Sequence, residues 1–209
     1  MNSIPKSHEE RIREVVEISW RIFKSRFLHG RHKIPTEAPF QHYFGHILSV
    51  IGDCYCISRD DMFIVDLEER LEDIKGKRKF IDIVCGYENS NTYCAIELKF
   101  KTKKQAAQNL GRIDAYIDIE AVELATEKKE FSLGYFFMIT DASEYIKPSR
   151  SGVGTRFQLH EGASITPGEY NTRGLKCAGR ENVKLELKGS YKINWDVEKK
   201  WHFLCLPIK

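Results

Sequence analysis

The chain predicts an α/β fold, on three observations. Two amphipathic helical stretches open it, three extended apolar runs follow in close succession, and a long helical stretch then leads into a strand with apolar residues on both faces. The order helix, three strands, helix, strand fits a mixed central sheet flanked by helices.

The first helix is residues 8–28, where Ile12, Val15, Val16, Ile18 (or Ser19), Ile22 and Phe23 recur at helical spacing with charges between them. It ends near Gly30, and the basic loop "HGRHKIP" stops at a proline. Thr36 is a suitable N-cap for a second helix, "EAPFQHYFGHILSVIGD", whose buried face would carry Phe40, Phe44, Ile47, Leu48 and Ile51. The pattern then becomes extended in "DMFIVDLEER" (61–70), "KRKFIDIVCGYE" (78–88) and "TYCAIELKFK" (92–101). A charged turn at "LEDIKGK" and a tight turn at "ENSN" would fold these runs into an antiparallel meander.

A long helix is expected over "KKQAAQNLGRIDAYIDIEAVELATEKK", with Ala106, Leu110, Ile113, Ile117, Ala121 and Leu124 at steps of four and three. "FSLGYFFMITD" (131–141) reads as a strand buried on both faces. Residues 142–182 are rich in Gly, Ser, Pro and charge, with "SRSGVGTRF" as a loop. The chain closes in alternating strands around turns expected at Lys188-Gly189 and Val197-Glu198, with Trp195 and Trp201 in the core. One domain is expected over residues 1–209: an N-terminal helix, a core at about 36–141 and a C-terminal β addition at about 142–209.

Composition excludes several classes. With 42% hydrophobic and 30% charged residues, the chain has no apolar run of transmembrane length. The N-terminus is charged where a signal peptide needs an apolar stretch, so a cytoplasmic protein without membrane contact is expected. Six cysteines form no C-x-x-C pair, which argues against a zinc ribbon and for reduced, mostly buried thiols. A net charge of +3 permits a polyanionic partner.

The chemistry centres on "YCAIELKFKTKK", residues 93–104. Period-2 geometry puts Glu97 and Lys99 on one face of this strand and Ile96, Leu98 and Phe100 on the other. Unlike charges in an apolar strand cost free energy unless solvated, paired or engaged with a ligand. On the preceding strand, "KFIDIVC" carries a lone Asp82, which a hairpin around "ENSN" would bring opposite Glu97.

The spacing D-x14-E-x-K, within a helix, meander, helix, strand order, resembles the PD-(D/E)xK nuclease superfamily. The resemblance implies the restriction-endonuclease-like αβββαβ core and Mg²⁺-dependent hydrolysis of phosphodiester bonds, with Mn²⁺ able to substitute. By the same resemblance, Asp82, Glu97 and Lys99 are the catalytic residues, and Asp82, Glu97 and the Leu98 backbone carbonyl are the metal ligands. A hard divalent ion suits this set because Mg²⁺ takes oxygen ligands and retains water. Lys99 would either position the attacking water and stabilise charge on the phosphate, or serve chiefly as an electrostatic partner. Of two further metal candidates on the preceding helix, Glu37 is the better and Gln41 the weaker. Along the following helix, Gln105, Gln108 and Arg112 form a polar stripe that could meet the phosphate. Ile81 stands where the family often has proline, and Arg112-x-x-x-Tyr116 replaces the Q-x-x-x-Y of one subgroup.

Each signal has a plainer reading. A Glu-x-Lys on a strand is commonly a solvated ion pair. Lys101, Lys103 and Lys104 could bind nucleic-acid backbone or only line a helix entrance, and "RFLHGRHK" stands on the same terms. His42 and His46, four apart on a helix, lack the H-E-x-x-H pattern and read as ordinary core or surface histidines. The expected function is an endonuclease of restriction or defence type, with DNA a better partner than RNA and a homodimer in keeping with many small members. The alternative is a nucleic-acid-binding or assembly protein that keeps the fold and does not cleave.

Overall fold

The computed structural model describes residues 4–74 and 77–208. The fold is α/β with a mixed six-stranded sheet in the order β1 (Phe63–Ile74), β2 (Lys77–Tyr87), β3 (Thr92–Lys101), β4 (Phe131–Thr140), β10 (Trp201–Ile208), β9 (Trp195–Glu198). By contact density the chain forms two compact units, Met1–Leu98 with Ala125–Gly134, and Lys99–Leu124 with Tyr135–Lys209. The division runs through strands β3 and β4.

In the first unit, α1 (His8–Leu28) packs against α2 (Glu37–Cys54). Ile12, Val15, Val16, Trp20 and Phe23 of α1 are buried with Phe40, Phe44, Ile47 and Leu48 of α2. Phe23 and Phe40 lie 4.8 Å apart between ring centroids, within the range where aromatic pairs attract beyond simple burial. Ser7 caps α1 by accepting from the Glu10 amide, whereas Thr36 stands at the expected N-cap of α2 without a side-chain cap bond. Helix α2 lies on β1 (Phe63–Ile74) and β2 (Lys77–Tyr87). Gly52 permits this approach, because a Cβ there would stand 2.0 Å from the Phe63 ring.

Strands β1 and β2 pair antiparallel, as do β2 and β3 (Thr92–Lys101), so the expected meander forms. The centre of the predicted "LEDIKGK" turn, residues 75–76, lies outside the described residues. The "ENSN" turn is one 3₁₀ turn, Glu88–Ser90, closed by Asn91 at φ +50°, a conformation Asn tolerates better than most residues.

In the second unit, α3 (Gln108–Thr126) starts five residues later than the sequence pattern indicated. Residues Lys103–Gln105 form a separate 3₁₀ turn, closed by a reciprocal Thr102–Gln105 capping box, and Ala106 at φ +48° breaks helical continuity. The buried face follows: Ile113, Ala115, Tyr116, Ile119 and Val122 are inside, while Leu110, Ile117 and Leu124 are only half-buried. Strand β4 (Phe131–Thr140) is buried continuously from Leu133 to Thr140, as its two-faced apolar pattern required.

The C-terminal addition contains one helical turn, α4 (Val153–Arg156), and six strands: β5 (Ser164–Ile165), β6 (Gly168–Asn171), β7 (Lys184–Leu187), β8 (Tyr191–Lys192), β9 (Trp195–Glu198) and β10 (Trp201–Ile208). Strands β5 and β8 form one small sheet, and β6 and β7 another. Val197 and Glu198 belong to β9, and the hairpin turns instead at Lys199, at φ +57°, and Lys200. Trp195 is buried, and Trp201 is half-buried against Phe100 at 5.8 Å. Among the described residues no helix is long and apolar enough to cross a membrane. Cys85, Cys94 and Cys177 are buried, Cys56 and Cys205 half-buried and Cys54 exposed.

Candidate functional site

The β2–β3 ladder is described from Tyr87–Thr92 to Ile83–Ile96, and the next position on the two strands carries Asp82 and Glu97. There Asp82 Oδ2 accepts a hydrogen bond from the Leu98 backbone N–H at 2.7 Å. A side-chain carboxylate thus meets an amide next to the last described rung of the ladder. Ordinary sheet pairing would not put a carboxylate on that N–H. Glu97 is 4% exposed, so it is a buried carboxylate and not a solvated edge residue.

Gln41 reaches this region from α2. Its Nε2 donates to the Asp82 backbone carbonyl and, at 3.1 Å, to Glu68 Oε1. Glu68 stands at φ +55°, and the β1–β2 register passes from Leu67–Ile83 to Glu69–Ile81 without pairing Glu68 with Asp82. A non-glycine residue in the left-handed region costs about 1–3 kcal/mol, and such strain clusters at functional sites. Glu68, Asp82 and Glu97 therefore occupy one row across three strands. Sequence reasoning missed Glu68, because its place in that row follows only from the β1–β2 register.

Among the described residues no group of three or more His, Cys, Asp or Glu side chains is arranged to hold a metal ion, so Glu37 does not complete a carboxylate cluster with Asp82 and Glu97. Glu37 is instead the half-buried first residue of α2, where a negative charge favours the helix dipole. The pair Asp82 and Glu97 still suits a hard divalent ion in donor chemistry. Any further ligands would be oxygens of the backbone, such as the Leu98 carbonyl, and water.

Lys99 follows Glu97 by two residues. Its ammonium lies 2.8 Å from Asp118 Oδ2 of α3, with the two side chains 11% and 12% exposed. Arg112 is a correction to the predicted phosphate-facing stripe, since it is 2% exposed and fully engaged inside the second unit. Its guanidinium donates to the backbone carbonyls of Glu144, Tyr145 and Phe157 and lies 5.5 Å from the centre of the Tyr145 ring. Burial drives the Arg112 pKa down, opposed by Tyr145 and Tyr116. Tyr116 is buried too, its hydroxyl donating to the Gln158 carbonyl. At helical spacing, an arginine aimed inward gives the same pattern as one aimed outward.

Gln105 is exposed and spends its Oε1 on the Thr102 amide at 2.7 Å, and Gln108 opens α3 half-exposed. Lys103 and Lys104 are exposed and Lys101 half-exposed. The Lys103 amide donates to Asp141 Oδ1 at 2.7 Å, which fixes the backbone of the basic turn while its side chains face solvent. In the basic segment after α1, His32 is buried and stacked on Tyr43 at 4.2 Å. Burial, then Arg26 and Arg31, lower its pKa, so it is a neutral core histidine at pH 7. His42 and His46 are both exposed.

Comparison of the chain with protein-family models, curated proteins and solved structures finds no match.

Proposed function

We propose that this protein is a Mg²⁺-dependent nuclease of the restriction-endonuclease-like fold, hydrolysing phosphodiester bonds in DNA. The observation that carries the reading is the Asp82 carboxylate on the Leu98 amide, one position beyond the Ile83–Ile96 rung and level with the buried Glu97. Two carboxylates at adjacent positions of neighbouring strands are the kind of oxygen donors that a hard divalent ion takes. Asp82, Glu97 and the Leu98 carbonyl would hold that ion. When bound, it supplies charge neutralisation on the phosphate and a water activated near neutral pH.

Lys99 donates N–H to the negative charge that develops on the phosphate oxygens. Gln41 keeps the Asp82 backbone in place. Lys101, Lys103 and Lys104 contribute phosphate-backbone affinity that weakens with salt. A restriction or defence endonuclease acting as a homodimer is the member class we favour.

The test is cleavage of plasmid and single-stranded DNA with Mg²⁺ or Mn²⁺ by the native chain, Asp82→Ala and Lys99→Ala. Metal-dependent cutting that both substitutions abolish supports the enzyme. No cutting of DNA or RNA, with no metal effect on thermal stability, sinks it.

One observation favours a second reading, a nucleic-acid-binding or assembly protein that keeps the fold without cleaving. The Lys99 ammonium is engaged by Asp118. A gel shift without metal-dependent cleavage would select this alternative.

A further inference from the structure

Helix α3 carries four acidic residues, Asp114, Asp118, Glu120 and Glu123. Three of them fasten the helix to the C-terminal addition. Asp114 Oδ1 accepts from Arg180 Nε at 2.8 Å, and Glu120 Oε1 from the Glu186 amide at 2.9 Å. Glu123, 4% exposed, accepts from the amides of Lys188 and Gly189 and from the Tyr191 hydroxyl. At the other end of the helix, Arg112 binds the carbonyls of Glu144, Tyr145 and Phe157. Gly111 lets Tyr145 pass, since a Cβ there would stand 2.1 Å from the Tyr145 hydroxyl.

These anchors fix α3 in both translation and rotation. The fourth acid, Asp118, faces Lys99 at 2.8 Å, with both side chains nearly buried.

We infer that Asp118 is a positioning residue for Lys99, and that the C-terminal addition sets the place of the Lys99 ammonium through the anchors on α3. The inference rests on the nuclease reading for its consequence, because Lys99 is the group proposed there to meet the phosphate. A lysine has four side-chain torsions and a compact, strongly hydrated charge, so an unheld ammonium samples many positions. A catalytic group misplaced by about 1 Å can cost on the order of 10²-fold in rate. A carboxylate on a helix pinned by three acids and an arginine removes that freedom before substrate arrives. The geometry also explains why a small protein would carry an addition whose contacts include a succession of backbone amides on α3 carboxylates.

Two measurements separate this inference from the nuclease reading. In ¹⁵N-labelled native protein at low temperature, a held Lys99 ammonium gives a slowly exchanging N–H resonance, identified by its absence in Lys99→Arg. The same resonance is lost in Asp118→Asn and retained in Asp118→Glu. In cleavage assays, Asp118→Asn lowers kcat roughly 10²-fold with KM nearly unchanged, and Asp118→Glu restores much of it. Thermal unfolding of each variant identifies any that fails to fold.

A native Lys99 resonance that exchanges like a surface lysine overturns the inference whether or not the protein cuts DNA. So does Asp118→Asn cleaving at the native rate. A native chain that holds Lys99 yet cuts nothing leaves the positioning intact and refutes the nuclease.

Discussion

Asp82 Oδ2 accepts from the Leu98 amide at 2.7 Å, so one of the two carboxylates proposed to hold a metal also serves the backbone of the strand that carries Glu97. Structure and chemistry can be separated by substitution. Asp82→Asn keeps an oxygen for the Leu98 amide and removes the charge, so thermal stability should change by under about 1 kcal/mol while metal-dependent cleavage is lost. Asp82→Ala also leaves the Leu98 N–H without this acceptor and should cost about 1–3 kcal/mol. Equal stability losses in the two variants, measured by urea unfolding, would show that the bond contributes little.

Gln41 and Glu68 offer a second comparison. Gln41→Ala removes the donor shared by the Asp82 carbonyl and Glu68 Oε1, and should lower stability by about 1 kcal/mol. At Glu68 the backbone, not the side chain, decides the outcome. Glu68→Gly should be tolerated because glycine adopts φ > 0 freely, whereas Glu68→Val should lose about 1–2 kcal/mol. Denaturant midpoints rank the three variants. A valine as stable as glycine would show that no left-handed residue is needed at this point of β1.

Arg112 separates a structural arginine from a DNA-binding one. Its buried bonds to three carbonyls predict that Arg112→Gln lowers stability by about 2–3 kcal/mol and leaves the salt dependence of DNA binding unchanged. The exposed Lys103 and Lys104 should behave oppositely. Alanine at either should reduce the slope of log affinity against log salt by about one and barely move the melting temperature.

Asp61 carries a pH prediction. Burial by itself would raise its pKa, but donation from His8, the Ser58 amide, Arg11 and the Ile57 amide outweighs burial and holds the carboxyl well below the usual range. Arg11 approaches to 2.6 Å, and both side chains are about 95% buried, at 4% and 5% exposure. A folded pKa below the unfolded value means that the stabilisation is present above about pH 4 and is lost as pH falls toward the folded pKa. Asp61→Asn should therefore destabilise the protein at pH 7 by about 3 kcal/mol, because Arg11 is left buried without its charge partner. The difference from native should shrink steadily between about pH 4 and pH 2. A melting-temperature difference that stays constant over that range would show that Asp61 is not the group responsible.

What the sequence determined by itself is the local part. Apolar periodicity predicted α1, α2, β3 and β4 close to their observed ends, and the order of elements from α2 to β4. It also put Glu97 and Lys99 on one face of β3. These features rest on the 3.6 and 2.0 residue repeats, which the chain carries in every short window.

What only the tertiary structure decided is which partner each polar group meets. Ala106 broke the helical pattern because a capping box closed the turn before it, and Arg112 turned inward because three carbonyls of a distant loop awaited it. The acids of α3 divided between the C-terminal addition and Lys99, and Glu68 joined the row of Asp82 through strand register. Periodicity says which face a charge occupies. The partner on that face comes from residues tens of positions away, whose approach depends on packing and register that no local repeat encodes.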